Sequence, residues 1–211
     1  MRFRPALLLV DFINTMEFDG GAKLAKRAVA AARRTQRLKA DAREQGVPTI
    51  YVNDHFGDWS ANFGAVVERC RGSRHGRELA SLLAPEQGDL SILKPRHSAF
   101  YGTPLEFLLD ELRVDSLILT GLQAHICVLF SAHDAYLRRY RLWVPAGCVA
   151  SETPEEERGA LEHMKAVTGA ETRPYPSRSS RSRLAEAFSK QGKSMRRIGN
   201  EQGEGEQSEN D

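Results

Sequence analysis

Short apolar runs alternate with longer amphipathic segments along most of the chain. The runs are rich in Val, Ile and Leu, and they lie at residues 6–10, 47–52, 90–93, 116–119 and 142–144. A strand that is covered on both faces needs no polar side, so continuous apolar runs of this length favour strands of a parallel sheet. A further edge strand is predicted at residues 171–173.

The segments between these runs carry helix signals. Residues 22–45 have a basic face and end at Gly46, and residues 126–139 have an apolar face at helical spacing. Residues 103–106 (Thr-Pro-Leu-Glu) and 153–156 (Thr-Pro-Glu-Glu) each offer a hydroxyl N-cap, a proline at the first helical position and a glutamate that can complete a capping box. Strands that alternate with helices predict right-handed crossovers and a three-layer α/β/α domain.

Length and charge limit the organisation of the chain. The 211 residues are 41% hydrophobic and 27% charged, which suits one folded domain with a substantial core. We predict that this domain covers residues 1–174 and that residues 175–211, which are first basic and then acidic, form a disordered tail. The 30 Lys and Arg residues nearly balance the 28 Asp and Glu residues, so nucleic acid is not an expected partner.

The sequence predicts a cytoplasmic protein with no membrane span. The apolar run at residues 6–10 is too short for a signal peptide, and the uncharged stretch 116–133 contains glutamine and histidine side chains that a bilayer would leave unpaired. Cys70, Cys127 and Cys148 cannot all pair with one another, so we interpret them as free thiols in a reducing compartment.

Three reactive side chains lie at the ends of predicted strands. Asp11 closes the first strand, Lys94 closes the strand at residues 90–93, and Cys127 lies just past a turn that feeds a helix. Ligands of an open parallel sheet collect at the carboxyl ends of its strands, so we predict that the three side chains share one pocket. Taken singly, Asp11 could cap the next segment, Lys94 could be solvated, and Cys127 could be a small buried hydrophobe.

The combination of these three groups indicates nucleophilic catalysis. An ammonium group and a helix N-terminus both stabilise a thiolate, so we expect a lowered pKa for Cys127. A carboxylate within reach can accept the thiol proton and later pass it to a leaving amine. Backbone N–H groups of the turn before Cys127 can bind an oxyanion. These parts suit the hydrolysis of a carboxamide through a thioester.

Four segments resemble the isochorismatase-like cysteine hydrolase superfamily, which includes nicotinamidases and N-carbamoylsarcosine amidohydrolases. They are LLLVDFINTM, VPTIYVND, ILKPRHSAFYGTPLEFLL and LILTGLQAHICVLFSAHDA, within a resemblance that covers residues 3–174. It implies a triad of Asp11, Lys94 and Cys127. It also implies an oxyanion hole from the amides of Gln123 and Cys127, with a cis peptide bond between Leu122 and Gln123. The implied fold is a six-stranded parallel sheet in the order 3-2-1-4-5-6, and the implied assembly is a dimer or tetramer.

The resemblance also separates branches of the superfamily. Isochorismatases proper lack a cysteine at the position of Cys127, so its presence favours the amidase branch. Nicotinamidases carry a metal that is bound by an Asp-x-His pair and a further histidine. In this chain Asp54 and His55 are adjacent and His75 has the wrong spacing, so we expect neither a metal nor another cofactor. His55 is interpreted as a pocket-wall or loop residue.

Substrate contacts are predicted for Phe100, Trp59 and His125, and His97 is a further candidate because it lies close to Lys94 in sequence. Phe100 resembles an aromatic residue that packs beside the site in relatives. Trp59 belongs to a long loop that is predicted for residues 54–75. Its aromatic residues could form a lid or an apolar wall, or they could belong to the core or to a subunit interface.

The sequence therefore predicts a metal-independent cysteine hydrolase that cleaves a non-peptide C–N bond of a small amide or ureido compound. One alternative is a nicotinamidase-type amidase with a metal. A second is a catalytically idle family member that acts as an interaction subunit. A third is a nucleic-acid-associated protein that binds through the basic segment at residues 173–197.

Overall fold

The computed structural model describes residues 3–176, so nearly all of the predicted tail lies outside the described residues. Six parallel strands form one sheet, and they are β1 (Pro5–Val10), β2 (Thr49–Asp54), β3 (Leu90–Lys94), β4 (Ser116–Leu122), β5 (Arg141–Trp143) and β6 (Val149–Ala150). The α-helices are α1 (Gly21–Glu44), α2 (Phe63–Gly72), α3 (Arg77–Leu82), α4 (Leu105–Glu111), α5 (Leu129–Leu137) and α6 (Pro154–Thr168). The predicted three-layer α/β/α fold is confirmed.

Strand β1 lies in the middle of the sheet, between β2 and β4. Leu7 and Leu9 pack into the apolar cluster that includes α1, α2 and α3. Leu8 and Val10 point the other way, into the cluster that includes α4, α5 and α6. Both faces of the strand are therefore buried, which explains why its sequence shows a continuous apolar run and no alternation with polar residues.

The strand order differs from the predicted 3-2-1-4-5-6 at one edge. The sheet runs β3-β2-β1-β4-β5, and β6 pairs with β4. Strand β5 pairs with β4 at residues 116–118, and β6 pairs with it at residues 121–122. Because β5 has only three residues, it leaves the end of β4 free for a second short strand. The strand predicted at residues 171–173 is reduced to a bridge between Glu171 and Trp143.

One of the two predicted capping boxes is present. The Thr153 hydroxyl accepts the Glu156 N–H at 3.2 Å, and the Glu156 carboxylate accepts the Thr153 N–H at 3.1 Å, so α6 begins as predicted. The box predicted at Thr103 is incomplete: its hydroxyl accepts the Leu105 N–H at 3.3 Å and donates to the Ala99 carbonyl at 2.6 Å, and α4 begins only at Leu105.

The loop predicted for residues 54–75 is wrong over its second half, which forms α2. The Asn62 side chain accepts the Ala65 N–H at 2.9 Å and caps this helix, while Val66, Val67 and Cys70 are buried. Charged residues interrupt the apolar face, so the helical period is weak in the sequence. No helix in the described part of the chain has both the length and the apolar character needed to cross a membrane.

Gly121 lets β1 and β4 approach each other closely. Its φ is 142°, and a Cβ built there would lie 2.1 Å from the carbonyl oxygen of Val10. Since both backbones are fixed by sheet hydrogen bonds, we expect Gly121→Ala to lower the free energy of unfolding by at least about 2 kcal/mol. Urea unfolding followed by circular dichroism measures this.

Gly159→Ala is the matched control, because Gly159 lies in α6 with open space around it. This change should raise the free energy of unfolding by roughly 0.5–1 kcal/mol. A Gly121→Ala variant as stable as the unmodified chain would contradict the register of β1 against β4.

Candidate active site

The structure brings Asp11, Lys94 and Cys127 together at the carboxyl edge of the sheet. The Lys94 ammonium lies 2.8 Å from Asp11 Oδ2 and 3.8 Å from Cys127 Sγ. Lys94 has no exposed surface and Asp11 is 5% exposed, whereas Cys127 is half-buried. The sulfur is thus the most accessible of the three reactive groups.

Asp11 is oriented by its backbone and by strand β2. Its φ of 52° lies in the left-handed region, which aspartate tolerates better than most residues. Its N–H donates to Val52 O at 3.0 Å, and its Oδ1 accepts the Asp54 N–H at 2.8 Å. With Oδ2 on Lys94, both oxygens of the carboxylate have a donor.

Lys94 is held by four groups of the chain. Besides Asp11 and Cys127, its ammonium donates to the Arg96 carbonyl at 3.1 Å, and Asp54 Oδ2 lies 3.9 Å away. A fully buried ammonium is stable only when its charge and its N–H groups are matched. The Lys94 ammonium at the end of β3 is therefore held in position by its partners.

A π-helix at Ala124–Val128 positions Cys127, at the start of the helix that the sequence predicts for residues 126–139. The Gln123 carbonyl accepts the N–H groups of both Ile126 and Val128, at 3.1 and 3.2 Å. The Leu122–Gln123 peptide bond is cis.

The expected lowering of the Cys127 pKa is wrong, because the structure raises it. Burial is the main cause, and the negative charge of Asp11 adds to it, while Lys94 opposes both. Burial also raises the pKa of Asp11 in spite of the attraction of Lys94. The pKa of Lys94 is raised as well, because the attraction of its acidic neighbours outweighs its burial. The sequence indicated correctly that the ammonium and carboxylate groups share the pocket, but it could not show that burial and Asp11 together outweigh the attraction of Lys94 for a thiolate.

The two histidine candidates, His97 and His125, have different surroundings. His97 is exposed, its Nδ1 lies 3.8 Å from Cys127 Sγ, and its ring packs against Phe130 with centroids 5.7 Å apart. His125 is half-buried, and its Nδ1 lies 2.8 Å from the Ser151 hydroxyl. Of the two, His97 is the one whose ring is in contact with the sulfur.

The predicted aromatic contacts divide between surface and core. Trp59 is 81% exposed and packs against the His55 ring at a centroid distance of 4.6 Å. Phe100 is 5% exposed and packs between Tyr140 and the Arg138 guanidinium. We therefore assign Phe100 to the core beneath the site, while Trp59 remains a candidate for the wall of the pocket.

The residues around Asp54 and His55 do not fit a metal site. His55 Nδ1 accepts the Gly57 N–H at 3.0 Å, so its other ring nitrogen carries the proton and has no lone pair for a metal. Asp54 Oδ1 accepts the Phe56 N–H. Among residues 3–176, no three His, Cys, Asp or Glu side chains cluster so that they could hold a metal ion.

The sequence analysis did not identify the polar groups that hold the three reactive residues in position. The Ser131 hydroxyl donates to the Cys127 carbonyl at 2.6 Å and accepts the Ala99 N–H at 2.9 Å, so it joins the π-helix to the loop after Lys94. Its position four residues after Cys127 on a helix could have indicated this bond, because serine hydroxyls often donate to the carbonyl four residues earlier. The Arg96 carbonyl and the Asp54 N–H act through the backbone, and no residue type signals such contacts.

This fold, with an acid, an ammonium group and a thiol in contact at the carboxyl edge of its sheet, is that of an isochorismatase-like hydrolase. The chain belongs to the isochorismatase family, since the family model of the Isochorismatase domain matches residues 5–173.

Three relatives show the range of the family. YaaI of Bacillus subtilis, an uncharacterized isochorismatase family protein, is 43% identical over 166 residues, which cover 79% of this chain and 91% of YaaI. Maleamate amidohydrolase of Pseudomonas putida is 30% identical over 154 residues, which cover 69% of this chain and 72% of that enzyme. A solved nicotinamidase/pyrazinamidase from Bacillus subtilis superposes with a TM-score of 0.65 at 27% identity, over 81% of this chain and 100% of that one.

Replacing Lys94 tests how strongly the site depends on its buried charge pair. Lys94→Met leaves the Asp11 carboxylate without its cation, so we expect a loss of about 3–5 kcal/mol in the free energy of unfolding. The loss should shrink as the pH falls, because protonation of Asp11 removes the unpaired charge. Urea unfolding at several pH values measures both effects.

The double variant Asp11→Asn/Lys94→Met should recover much of this loss, since neither buried group is then charged. Lys23→Met on the exposed face of α1 is the control and should change stability by no more than about 0.5 kcal/mol. If the double variant lost as much free energy of unfolding as Asp11→Asn and Lys94→Met lose separately, added together, the ion pair would contribute nothing to stability.

Proposed function

We propose that this chain hydrolyses a C–N bond, other than a peptide bond, in a small amide or ureido compound, through a thioester on Cys127. The observation that carries the proposal is the contact of Lys94 with both Cys127 Sγ and Asp11 Oδ2, at 3.8 and 2.8 Å. Membership of a family with a maleamate amidohydrolase and a nicotinamidase supports the same chemistry.

Acylation begins with a proton transfer. Asp11, which lies within hydrogen-bonding reach of the thiol, accepts the proton of Cys127. The sulfur attacks the carbonyl carbon of the substrate, and the carbonyl oxygen becomes an oxyanion that the N–H groups of Gln123 and Cys127 bind. Asp11 then passes its proton to the substrate nitrogen, the C–N bond breaks, and an amine or ammonia leaves.

The raised pKa values fit this sequence of steps. A carboxylate whose pKa is raised by burial is a stronger base than an exposed aspartate, so it can take a proton from a thiol that stays protonated at rest. When the proton moves, negative charge moves from Asp11 to Cys127. Lys94 contacts both atoms, so it stabilises the charge before and after the transfer without changing its position.

The other predictions for the chain need separate tests. The predicted homo-oligomer is supported by exposed apolar side chains on α4 and α5, where Phe107 is 77% and Leu137 73% exposed. Light scattering of the purified chain measures the assembly. The cytoplasmic location stays a prediction.

Slow alkylation of Cys127 would not identify an idle family member. A thiol with a raised pKa reacts slowly at neutral pH even when it serves as a nucleophile, because only the thiolate attacks the reagent. Turnover of a substrate is therefore the observation that separates an enzyme from an interaction subunit.

A screen of small amides and ureido compounds for ammonia release tests the proposed reaction. Cys127→Ala should lower turnover by at least ~10³-fold because it removes the nucleophile, while the unfolding curve stays unchanged. Cys70→Ala, a change at a buried thiol in α2, is the control and should keep its activity.

Full activity of Cys127→Ala on a substrate that the unmodified chain cleaves would exclude the thioester. The same assay after dialysis against a chelator separates the nicotinamidase-type alternative. In that case activity would fall and return with added metal, whereas the proposed mechanism requires no change.

The pH dependence of kcat/KM tests the role of Asp11. The carboxylate must be unprotonated to accept the thiol proton, so activity should fall as the pH drops through the pKa of Asp11 in the folded chain. Because burial raises that pKa, the acid limb should lie above the 3.8 of an exposed aspartate. A profile that stays flat down to that pH would argue against Asp11 as the base.

A further inference from the structure

The outer face of α1 carries cations that the described part of the chain leaves without an anionic partner. Lys26, Arg34 and Arg37 are exposed, and their spacing along the helix places them on one stripe of its surface. Within residues 3–176 none of the three forms an ion pair, whereas Arg27 of the same helix pairs with Glu157 at 2.5 Å. The stripe therefore presents positive charge to an incoming anionic group.

A groove of about 370 Å³ lies beside this stripe, between α1 and the connection from β5 to β6. Lys26 and Arg34 line it on the helix side, and Gly147 lines it on the other side. Arg34 Nη1 lies 3.5 Å from the Gly147 carbonyl oxygen, and a Cβ built on Gly147 would lie 3.1 Å from Arg34 Cδ, so the side chain packs closely against the connection. Arg27 and Glu157 also line the groove, but their charges cancel, so the groove as a whole is basic.

The chain leaves the described structure beside the same helix. Tyr175 donates its hydroxyl to Asp41 of α1, and its ring packs against Trp143 with centroids 6.2 Å apart. Tyr175 and Asp41 are both buried, so the end of the described chain is anchored to α1. Asp41 follows Arg37 by about one helical turn, so the residues beyond 176 start close to one end of the basic stripe.

The sequence beyond residue 176 contains anionic groups that would complement this stripe. Residues 177–211 lie outside the described residues, and their sequence is first basic and then acidic. The last eleven, residues 201–211, include five Asp or Glu and no Lys or Arg. The basic part is repelled by the stripe, so the acidic part is the one that electrostatics draws towards it.

The length of this segment suits such a contact. Asp41 and Lys26 are about 15 residues apart on α1, which corresponds to roughly 22 Å along the helix axis. A coil as long as residues 177–201 has an average end-to-end distance of roughly 25–30 Å. A linker whose average length matches the span between two sites gives a high effective concentration, so ion pairs that are individually weak can still form.

We propose that the groove between α1 and the connection that contains Gly147 binds the acidic segment 201–211 of the same chain, with Lys26 and Arg34 as its main contacts. Arg34 already packs against Gly147, so pairing it with a carboxylate costs less side-chain entropy than pairing a free arginine. The groove contains none of the residues of the candidate active site, so this inference does not depend on the proposed function.

Zero-length cross-linking of the full chain tests this contact. A carbodiimide joins a carboxylate to a lysine amine only where the two are in contact, and peptide mass spectrometry identifies the pair. At low ionic strength we expect Lys26 to be joined to a carboxylate of residues 201–211. In about 1 M NaCl, where the screening length is about 3 Å, the yield of this pair should fall at least ~fivefold.

Two double variants complete the test. Arg34→Gln/Arg37→Gln removes two cations of the stripe but keeps Lys26 as the reacting amine, so the yield should again fall at least ~fivefold. Arg113→Gln/Lys165→Gln removes the same charge from exposed positions elsewhere and should leave the yield unchanged. Both variants should give the circular dichroism spectrum of the unmodified chain, because every substituted side chain is exposed.

Mixing isotopically labelled with unlabelled chains shows whether the two residues of a pair belong to one chain. Pairs of Lys26 with residues 201–211 inside one chain support the proposal. Pairs between two chains only would mean that a second copy supplies the segment, and coupling only to Lys190 and Lys193 would mean that the segment binds its own basic run. Either result would overturn the proposal, as would a yield that Arg34→Gln/Arg37→Gln leaves unchanged or the absence of any coupling to Lys26.

Discussion

The ion pair between Lys94 and Asp11 is the constraint on which the rest of the site depends. Each group is nearly or fully buried, so neither could stay charged without the other. The pair joins the end of β3 to the end of β1 across the intervening strand β2, and the Asp54 N–H of β2 completes the link. The register of the three strands therefore holds the two charged groups within hydrogen-bonding distance of each other.

The same pair explains why the thiol is protonated at rest. A lone ammonium group beside Cys127 would favour the thiolate, but burial of the sulfur and the negative charge of Asp11 together outweigh the attraction of Lys94. Before substrate binds, Cys127 is therefore a thiol and not a thiolate. The site holds instead a base and a cation arranged so that charge can move over a few ångströms when a carbonyl group arrives.

Much of this arrangement was visible in the sequence, because the strands are buried on both faces and the reactive residues follow them directly. Asp11, Lys94 and Cys127 could be placed at one edge by the topology of a parallel sheet alone. The strand order at this edge could not, since β6 has only two residues and its pairing with β4 leaves no pattern in the sequence. The direction in which the Cys127 pKa shifts also depends on the balance between burial and the charges of Asp11, Lys94 and Asp54, which a sequence does not contain.

The shared edge of β4 has a consequence for how such a pocket can change. Strands β5 and β6 are joined by residues 144–148, and β6 leads directly to Ser151, whose hydroxyl contacts His125 beside the nucleophile. A longer or shorter connection there would leave β5 paired with β4 but would displace Ser151 and the His125 ring that it contacts. The length of this connection therefore sets where Ser151 lies against His125, two residues before the nucleophile in sequence, without changing the pairing of β5 with β4.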